Sequence, residues 1–191
     1  MSSGVHDVYY GLKQYLAFEA SSNVKHEYLA GQIYAMAGGT PEHAALAAAV
    51  LGQLYNQLRG GRCRAYDADL RIRVRSTDLL TYPDVTIVCG PVQRDSEDEM
   101  AAINPTVIVE VLSDSTERYD RGAKFEHYKR LPSLQQYVLV SHRKPLVDVW
   151  TRTGDAWNLA TAGEDQTAEL ESIRAKVNVR ELYEAVAEPK A

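Results

Sequence analysis

Two acidic residues stand in or beside strongly apolar stretches of the chain. Asp84 follows Pro83 and precedes the run Val-Thr-Ile-Val-Cys, while Glu110 lies within the apolar run of residues 107–112. An ionised carboxylate in such surroundings is costly unless it is paired or binds a metal. If the two predicted strands are neighbours, both carboxylates can bind one divalent ion. Mg²⁺ suits this arrangement because it accepts one or two carboxylates and keeps several waters, and Mn²⁺ can substitute for it.

A lysine and a tyrosine follow on the next predicted helix. Lys124 stands four residues before Tyr128, so the two share one helical face. A lysine beside a metal site can orient a water molecule or stabilise charge that develops on a phosphate. We therefore take Asp84, Glu110 and Lys124 as the candidate catalytic residues, with Tyr128 in a supporting position.

Each of these candidates also has an ordinary structural explanation. Glu110 can be a strand-end residue that faces water, since acidic residues are seldom buried without a partner. Asp84 can belong to a simple junction between a loop and a strand. Lys124 can be an exposed helix lysine, and without the two acids that explanation would be preferred.

The elements that must position these residues follow from periodicity and from turn residues. The patterns predict helices over residues 7–20, from Pro41 to Gly60-Gly61, and over 116–131 and 179–186, with strands over 24–37 (a pair joined at Ala30-Gly31), 70–75, 84–89, 106–112, 135–140, 146–150 and 157–160. Between residues 41 and 140 the order is helix, three strands, helix, strand. This order predicts an α/β fold with a central mixed sheet flanked by helices. We expect one domain over residues 1–191, with its core at about 41–140, an added N-terminal helix and hairpin, and added C-terminal strands.

Composition narrows the class of protein. The chain has 191 residues, 45% of them hydrophobic and 25% charged, with a net charge of −5. We find no membrane span and no secretory signal, and expect a cytoplasmic protein. The two cysteines, Cys63 and Cys89, are expected to be buried thiols rather than a disulfide or a zinc site. The negative charge argues against a protein that coats nucleic acid, but bound divalent ions would reverse the local field of a nuclease site.

Several segments, in this order and spacing, resemble the PD-(D/E)xK nuclease superfamily and, more narrowly, the Uma-two family of restriction-endonuclease-like proteins. The matching segments are His26-Glu27-Tyr28-Leu29-Ala30-Gly31-Gln32-Ile33-Tyr34, Pro41-Glu42-His43, Asp69-Leu70-Arg71-Ile72, Tyr82-Pro83-Asp84-Val85, Val109-Glu110-Val111-Leu112-Ser113, and Asp120-Arg121-Gly122-Ala123-Lys124 with Tyr128. The resemblance covers about residues 10–160. It implies a restriction-endonuclease-like fold and phosphodiester hydrolysis, with Asp84 and Glu110 holding the metal and Lys124 positioning the attacking water. The superfamily's usual lysine position, two residues after the acid, is Leu112 here, and the family pattern moves the lysine to Lys124.

Three further residues are candidates for supporting roles. Glu27 and His43 fall on positions where the family pattern carries the same residue types. The start of its helix favours a neutral His43 imidazole, which would accept a proton, contact a phosphate or orient Glu27. Asp69 is a candidate outer metal ligand. The alternatives are local hydrogen bonds for Glu27 and His43, and an arginine partner for Asp69.

Three arginines alternate along one predicted strand. Arg71, Arg73 and Arg75 would line one strand face, where they would meet phosphates or form a solvated sheet surface. The acidic loop of residues 95–99 is expected to be solvated and to lie away from the cleft, because it would repel a nucleic-acid backbone.

Three functions are compatible with these patterns. The first, which we favour, is a Mg²⁺-dependent endonuclease acting on DNA as a homodimer. The second is a nucleic-acid-binding module without catalysis, which would bind in a salt-dependent manner without turnover. The third is an assembly protein in which Asp84 and Glu110 pair with arginines, with a dimer surface around Trp150 and Trp157.

Overall fold

The computed structural model describes residues 8–36 and 38–187. Its helices are α1 (Leu12–Ser21), α2 (Pro41–Leu58), α3 (Glu117–Arg121), α4 (Ala123–Tyr128) and α5 (Val179–Glu184). Its strands are β1 (His26–Leu29), β2 (Gln32–Ala35), β3 (Cys63–Tyr66), β4 (Arg71–Val74), β5 (Leu79–Thr81), β6 (Val85–Cys89), β7 (Ala101–Ala102), β8 (Val107–Val111), β9 (Gln136–Val140), β10 (Leu146–Thr153), β11 (Ala156–Gly163), β12 (Thr167–Leu170) and β13 (Ala175–Asn178). Asp7, in the predicted first helix, and Ala37, in the predicted hairpin, lie outside the described residues. Within the two described ranges, no helix combines the length and the apolar composition needed to span a bilayer.

Six strands form the central sheet, in the order β11-β10-β9-β8-β6-β3. Strands β8 and β9 run parallel, whereas the other neighbouring pairs run antiparallel. Nearly all residues of β6, β8 and β9 are buried, which explains why these segments are continuous apolar runs. The predicted mixed sheet is confirmed. Strand β3 lies at one edge of this sheet, however, and β4, the strand predicted over 70–75, belongs to the second sheet.

Helix α2 covers one face of the central sheet. The helix begins at Pro41, as predicted: the Thr40 side chain accepts a hydrogen bond from the His43 N–H, and proline occupies the first turn. The residues that the helix buries recur every four positions and pack with apolar side chains of β6 and β8. On the helix they are Leu46, Val50, Leu54 and Leu58. This packing fixes the first turn of α2, which carries His43.

The helix predicted over residues 116–131 is divided in two at Gly122. A Cβ atom at this position would lie 3.0 Å from the carbonyl oxygen of Arg118, so the close backbone approach favours glycine. The second half, α4, packs Phe125 and Tyr128 against Tyr137 of β9, with ring centroids 4.8 and 5.5 Å apart. Helix α4 therefore covers the face of the sheet opposite α2.

Successive side chains of β8 project to opposite faces of the sheet. The first, third and fifth residues of the strand belong to the apolar cluster of α2. Ile108 and Leu112 belong instead to the cluster that contains Phe125 and Tyr128. Glu110 stands between Ile108 and Leu112 in the same alternation, so its side chain projects to the α4 side.

Five strands form a second sheet, in the order β2-β1-β5-β4-β7, and β4 carries two of the three predicted arginines. Each arginine is paired with a carboxylate. The pairs are Arg71–Asp98 at 2.6 Å, Arg73–Asp78 at 2.5 Å and Arg75–Asp95 at 2.5 Å. The expectation of a solvated sheet face is wrong for Arg73, which is 4% exposed. Contact with phosphates would require these ion pairs to open.

The acidic loop of residues 95–99 is not fully solvated, contrary to expectation. Asp95 is 1% exposed and Asp98 is 7% exposed. Oδ1 of Asp95 accepts hydrogen bonds from the N–H groups of Glu97 and Asp98, and Oδ2 accepts one from Arg75. Burial raises the pKa of Asp95, but these donors outweigh it and hold the pKa below its usual range. The loop was expected to be open to water because a buried carboxylate needs a partner. The acidic segment alone did not show that Arg75 would supply one.

Cys63 and Cys89 form a disulfide, so the prediction of free thiols is wrong. The two residues are 26 positions apart in the chain but directly opposite each other in the antiparallel pair of β3 and β6. Their spacing gave no sign of this, because strand pairing, rather than sequence proximity, brings them together. Disulfides are rare in reducing compartments, so this bond argues against the predicted cytoplasmic location.

Reduction of this disulfide is expected to lower the free energy of unfolding by about 3 kcal/mol, because the bond restricts the unfolded chain. Urea titrations with and without a thiol reductant measure the difference. The double variant Cys63→Ser/Cys89→Ser serves as the control, and its stability should not respond to the reductant. Equal stabilities for the oxidised and reduced wild type would contradict the prediction.

The C-terminal strands extend the central sheet and cover part of α4. Trp150 of β10 and Trp157 of β11 pack against Phe125, with ring centroids 5.3 and 5.2 Å from it. Arg152 lies over the Trp157 ring at 4.7 Å. The two tryptophans therefore bury much of their surface within the chain, and they do not form the open apolar face considered for a dimer.

Candidate active site

Asp84 and Glu110 lie across from each other on neighbouring strands. Strands β6 and β8 pair with Val85 opposite Val109, and continuing this register places Asp84 opposite Glu110. Opposite residues of an antiparallel pair project to the same face of a sheet. Both line one cavity of about 310 Å³. The structure thus brings the two predicted acids together.

Glu110 is held through one of its two carboxylate oxygens. The Tyr128 hydroxyl donates a hydrogen bond to Oε1 at 2.8 Å, and Lys124 Nζ lies 2.9 Å from the same oxygen. From the described part of the chain, Oε2 accepts no hydrogen bond. This arrangement fixes the Glu110 side chain and leaves Oε2 able to bind a cation.

Lys124 is shared between Glu110 and a second acid. Its Nζ also lies 3.5 Å from Oδ1 of Asp120, one helical turn earlier, and both side chains are buried. Burial lowers the pKa of Lys124, but the charges of Glu110 and Asp120 outweigh it and raise the pKa above its usual value. The amine is therefore protonated at neutral pH.

The site holds more carboxyl groups than Lys124 can neutralise. Burial raises the pKa of Glu110 to about 8, with Asp120 and Asp84 adding to the rise and Lys124 opposing it. Burial likewise raises the pKa of Asp120, against the charge of Lys124. A bound divalent cation would relieve this repulsion and keep the carboxylates ionised.

Asp84 is anchored by the backbone of β8 and by His43. Its Oδ2 accepts a hydrogen bond from the Val111 N–H at 2.7 Å, and His43 Nε2 lies 3.5 Å away. Nε2 is also 2.9 Å from the Val111 carbonyl oxygen, to which it donates. Interaction with Asp84 raises the pKa of His43, although burial opposes this. The surroundings of His43 therefore do not favour a neutral imidazole, contrary to expectation. His43 also orients Asp84 rather than Glu27.

Glu27 lies on β1 in a second cavity, beyond Lys124. Its carboxylate accepts hydrogen bonds from Thr81 Oγ1, at 2.7 Å, and from the Tyr119 hydroxyl. This cavity, of about 530 Å³, is also lined by Asp120 and Lys124. Glu27 therefore adjoins the centre formed by Asp84 and Glu110 without lining the same cavity.

Asp69 lines neither of these cavities. Its side chain is 82% exposed and lies 2.5 Å from Lys25 Nζ. The structure does not place Asp69 as an outer metal ligand, and its partner is a lysine rather than the arginine considered as the alternative.

Comparison with known families identifies the larger group to which this arrangement belongs. Residues 12–180 match the model of the Uma2 family, described as "Putative restriction endonuclease". The chain belongs to the Uma2 family. Two Synechocystis proteins are similar along most of its length: the uncharacterized protein slr1290 is 38% identical over 176 residues, 92% of each chain. The uncharacterized protein sll1609 is 28% identical over 158 residues, which cover 83% of this chain and 89% of its own length.

A solved structure shares the fold of this Uma2 protein. It is a crystal structure from Anabaena variabilis, described as a "putative nuclease belonging to DUF820", with a TM-score of 0.76 at 17% identity. The similarity covers 93% of this chain and 99% of the other. Together with the family match, it confirms the predicted restriction-endonuclease-like α/β fold.

Asp120 is the main residue of the site that sequence reasoning missed. It stands four residues before Lys124, a spacing that puts both on one face of the helix predicted over residues 116–131. This spacing was the available signal, because a lysine predicted to lie near the buried Glu110 could also pair with an acid one turn away. Tyr119, which donates to Glu27, was missed because no pattern linked it to the N-terminal hairpin.

The cavity in this Uma2 protein fits a divalent ion with few protein ligands. In residues 8–36 and 38–187, no three or more His, Cys, Asp and Glu side chains are grouped to hold a metal. A closed structural metal site is therefore not indicated. Mg²⁺ needs only one or two carboxylates because it retains several waters, and Asp84 and Glu110 supply two that protein donors already orient.

Proposed function

We propose that this Uma2 protein is a metal-dependent endonuclease that hydrolyses phosphodiester bonds in DNA. The observation that carries the proposal is the meeting of Asp84 and Glu110 at one cavity, with the Lys124 amine 2.9 Å from Glu110. The carboxyl groups of the site outnumber its one lysine and suit the binding of Mg²⁺. The fixed amine suits the binding of a phosphate. The family description supports DNA as the substrate.

Each residue of the site has a role that follows from its contacts. Asp84 and Glu110 would hold Mg²⁺, which supplies a Lewis acid for the negative charge that develops on the phosphate. His43 and the Val111 N–H keep Asp84 in place, and Tyr128 does the same for Glu110. An ammonium group has three donors, so Lys124 can bond Glu110 and still orient the water that attacks phosphorus.

The charge of the protein makes cation binding a condition for substrate binding. The net charge is −5, and four acids line the cavity, so the metal-free site repels a polyanion. We expect added Mg²⁺ to strengthen DNA binding. We also expect a homodimer, because a duplex presents two strands to a symmetric pair of sites.

Incubation of the purified protein with closed circular duplex DNA tests the proposal. We expect nicking or linearisation with Mg²⁺ or Mn²⁺ and none with a chelator, and circular substrates distinguish endonuclease from exonuclease action. Single-stranded DNA and RNA of matched sequence are assayed in parallel. Intact substrates throughout would contradict hydrolysis, and cleavage of RNA alone would contradict the assignment to DNA.

The His43→Ala variant is expected to lower metal affinity or the cleavage rate about 10- to 100-fold, as is usual when a residue that orients a metal ligand is removed. The physical reason is that Asp84 would lose the neighbour on its Oδ2 side. Mn²⁺ titration calorimetry and single-turnover cleavage measure the two effects. His127→Ala, on α4 and outside the cavity, is the control. Similar behaviour of the two variants would argue against a positioning role for His43.

A further inference from the structure

The β1–β2 hairpin turns one face toward the second cavity, the one that contains Glu27. In the hairpin register Glu27 lies opposite Tyr34, so the two side chains share a face. Leu29, two residues after Glu27, projects to the same side, and all three residues line the cavity. Tyr34 is 52% exposed. The hairpin thus offers an accessible aromatic ring beside a buried carboxylate.

Helix α3 supplies the opposite wall of this cavity. Tyr119 donates its hydroxyl to Glu27, and Asp120 and Lys124 complete the wall. The volume of about 530 Å³ lies within the range of pockets that bind small organic groups. The cavity is therefore large enough for a planar ring system to enter against Tyr34.

The second cavity is continuous with the proposed catalytic site. Asp120 and Lys124 line both cavities. A phosphate that reaches the Lys124 amine therefore has its neighbouring nucleotide at the mouth of the second cavity. The two spaces are arranged for adjoining parts of one substrate.

The lining of the second cavity excludes a phosphate and favours a neutral planar group. Glu27 and Asp120 contribute two carboxylates against the single amine of Lys124, which repels an anion. Carboxylate oxygens have further lone pairs, so Glu27 can accept a hydrogen bond from a base in addition to those from Thr81 and Tyr119. Tyrosine rings stack on bases of any sequence.

We propose that this cavity is a nucleobase subsite, which takes one unstacked base next to the phosphate that is cleaved. The inference rests on the proposed nuclease function and adds the class of substrate. Bases within a regular duplex are stacked and paired, so they reach such a cavity only when strands are single or when a base is turned out of the helix. A duplex is accordingly cleaved where a base is turned out of the helix, and single-stranded or locally unpaired DNA presents such a base more readily.

Binding and crosslinking with Ca²⁺ in place of Mg²⁺ test this subsite independently of cleavage. The probe is a fluorescently labelled single-stranded oligonucleotide that contains 4-thiothymidine. We expect irradiation to crosslink the base to the peptide that carries Tyr34, as identified by mass spectrometry. We expect Tyr34→Ala to raise the Kd for the single strand about tenfold through the loss of one stacking contact, and Tyr34→Phe to preserve binding.

Tyr55→Ala is the matched control, because Tyr55 is 55% exposed on α2 and lines a different cavity. Its Kd should equal that of the wild type. Crosslinks confined to other peptides, an unchanged Kd for Tyr34→Ala, or no binding of the oligonucleotide would each overturn the subsite. Cleavage of DNA together with such a result would leave the nuclease function intact. Crosslinking to Tyr34 without cleavage under Mg²⁺ would retain the subsite and refute hydrolysis.

Discussion

Glu110→Gln is expected to lower the rate of metal-dependent DNA cleavage by about a thousandfold. Losses of about this size follow when an enzyme loses one fixed group that stabilises the charge of the transition state. Glutamine keeps an acceptor for the Tyr128 hydroxyl, which donates to Oε1 in the wild type. It removes an acid whose ionised form is disfavoured by burial and by the nearby charges of Asp120 and Asp84. The metal-free variant should therefore be at least as stable as the metal-free wild type, and its loss of activity cannot be attributed to unfolding.

Metal titration separates this expectation from a purely structural role for Glu110. For a ligand that binds only the folded state, a concentration of about 100 Kd stabilises by about 2.7 kcal/mol. The wild type should gain stability with Mg²⁺, and Glu110→Gln should gain much less. Glu126→Gln is the control, since the Glu126 side chain is 66% exposed and pairs with Lys129. An equal response of wild type and Glu110→Gln to Mg²⁺ would remove Glu110 from the metal site.

The elements that the sequence predicted well are those whose signals are local. The cap at Thr40, the proline that follows it and the regular apolar stripe of α2 depend only on neighbouring residues, and this helix forms as predicted. The division at Gly122 of the helix predicted over residues 116–131 was missed, although glycine weakens a helix. The short strand β5 was also missed: its ladder hydrogen bonds connect it to β1 and β4, and none of these contacts is visible in its own three residues.

The predictions that failed depend on partners distant in the chain. Arg75 and Asp95 are 20 residues apart and form an ion pair, so neither the arginine nor the acidic loop is free as its own segment suggested. The Cys63–Cys89 disulfide has the same origin. Periodicity reports which side of an element faces the core, but it does not report which element lies opposite.

The site itself was predicted unevenly, for the same reason. Asp84 and Glu110 were recognisable because an acid within an apolar run requires a partner. Lys124 was recognisable only beside the two acids and through the family resemblance, since a helix lysine is ordinarily solvated. Asp120 was missed because its burial depends on the packing of α3 and α4 against the sheet.

Lys124→Met is expected to destabilise the metal-free protein by about 3–5 kcal/mol, the usual cost of removing one partner from a buried ion pair. Among the described residues, no Lys or Arg side chain other than Lys124 lines the cavity of Glu110 and Asp120. Without it, the two carboxylates remain buried at close range with no fixed cation. Urea unfolding in a chelating buffer measures the loss.

Added Mg²⁺ should return part of this stability, since a divalent ion supplies positive charge at the same place. The gain in unfolding free energy on adding Mg²⁺ is thus expected to be larger in Lys124→Met than in the wild type, while cleavage stays low because the amine that orients water is missing. Lys129→Met, on an exposed ion pair just after α4, should show neither effect.

A second substitution keeps the test informative if Lys124→Met does not fold. Asp120→Asn removes one of the carboxylates that Lys124 balances, so the double variant Lys124→Met/Asp120→Asn should be more stable than Lys124→Met alone. A purely packing role for Lys124 predicts instead that the two losses add and that Mg²⁺ changes neither. The sign of the coupling between residues 120 and 124 therefore decides whether this helix carries a charge-balanced reactive centre or only a well-packed lysine.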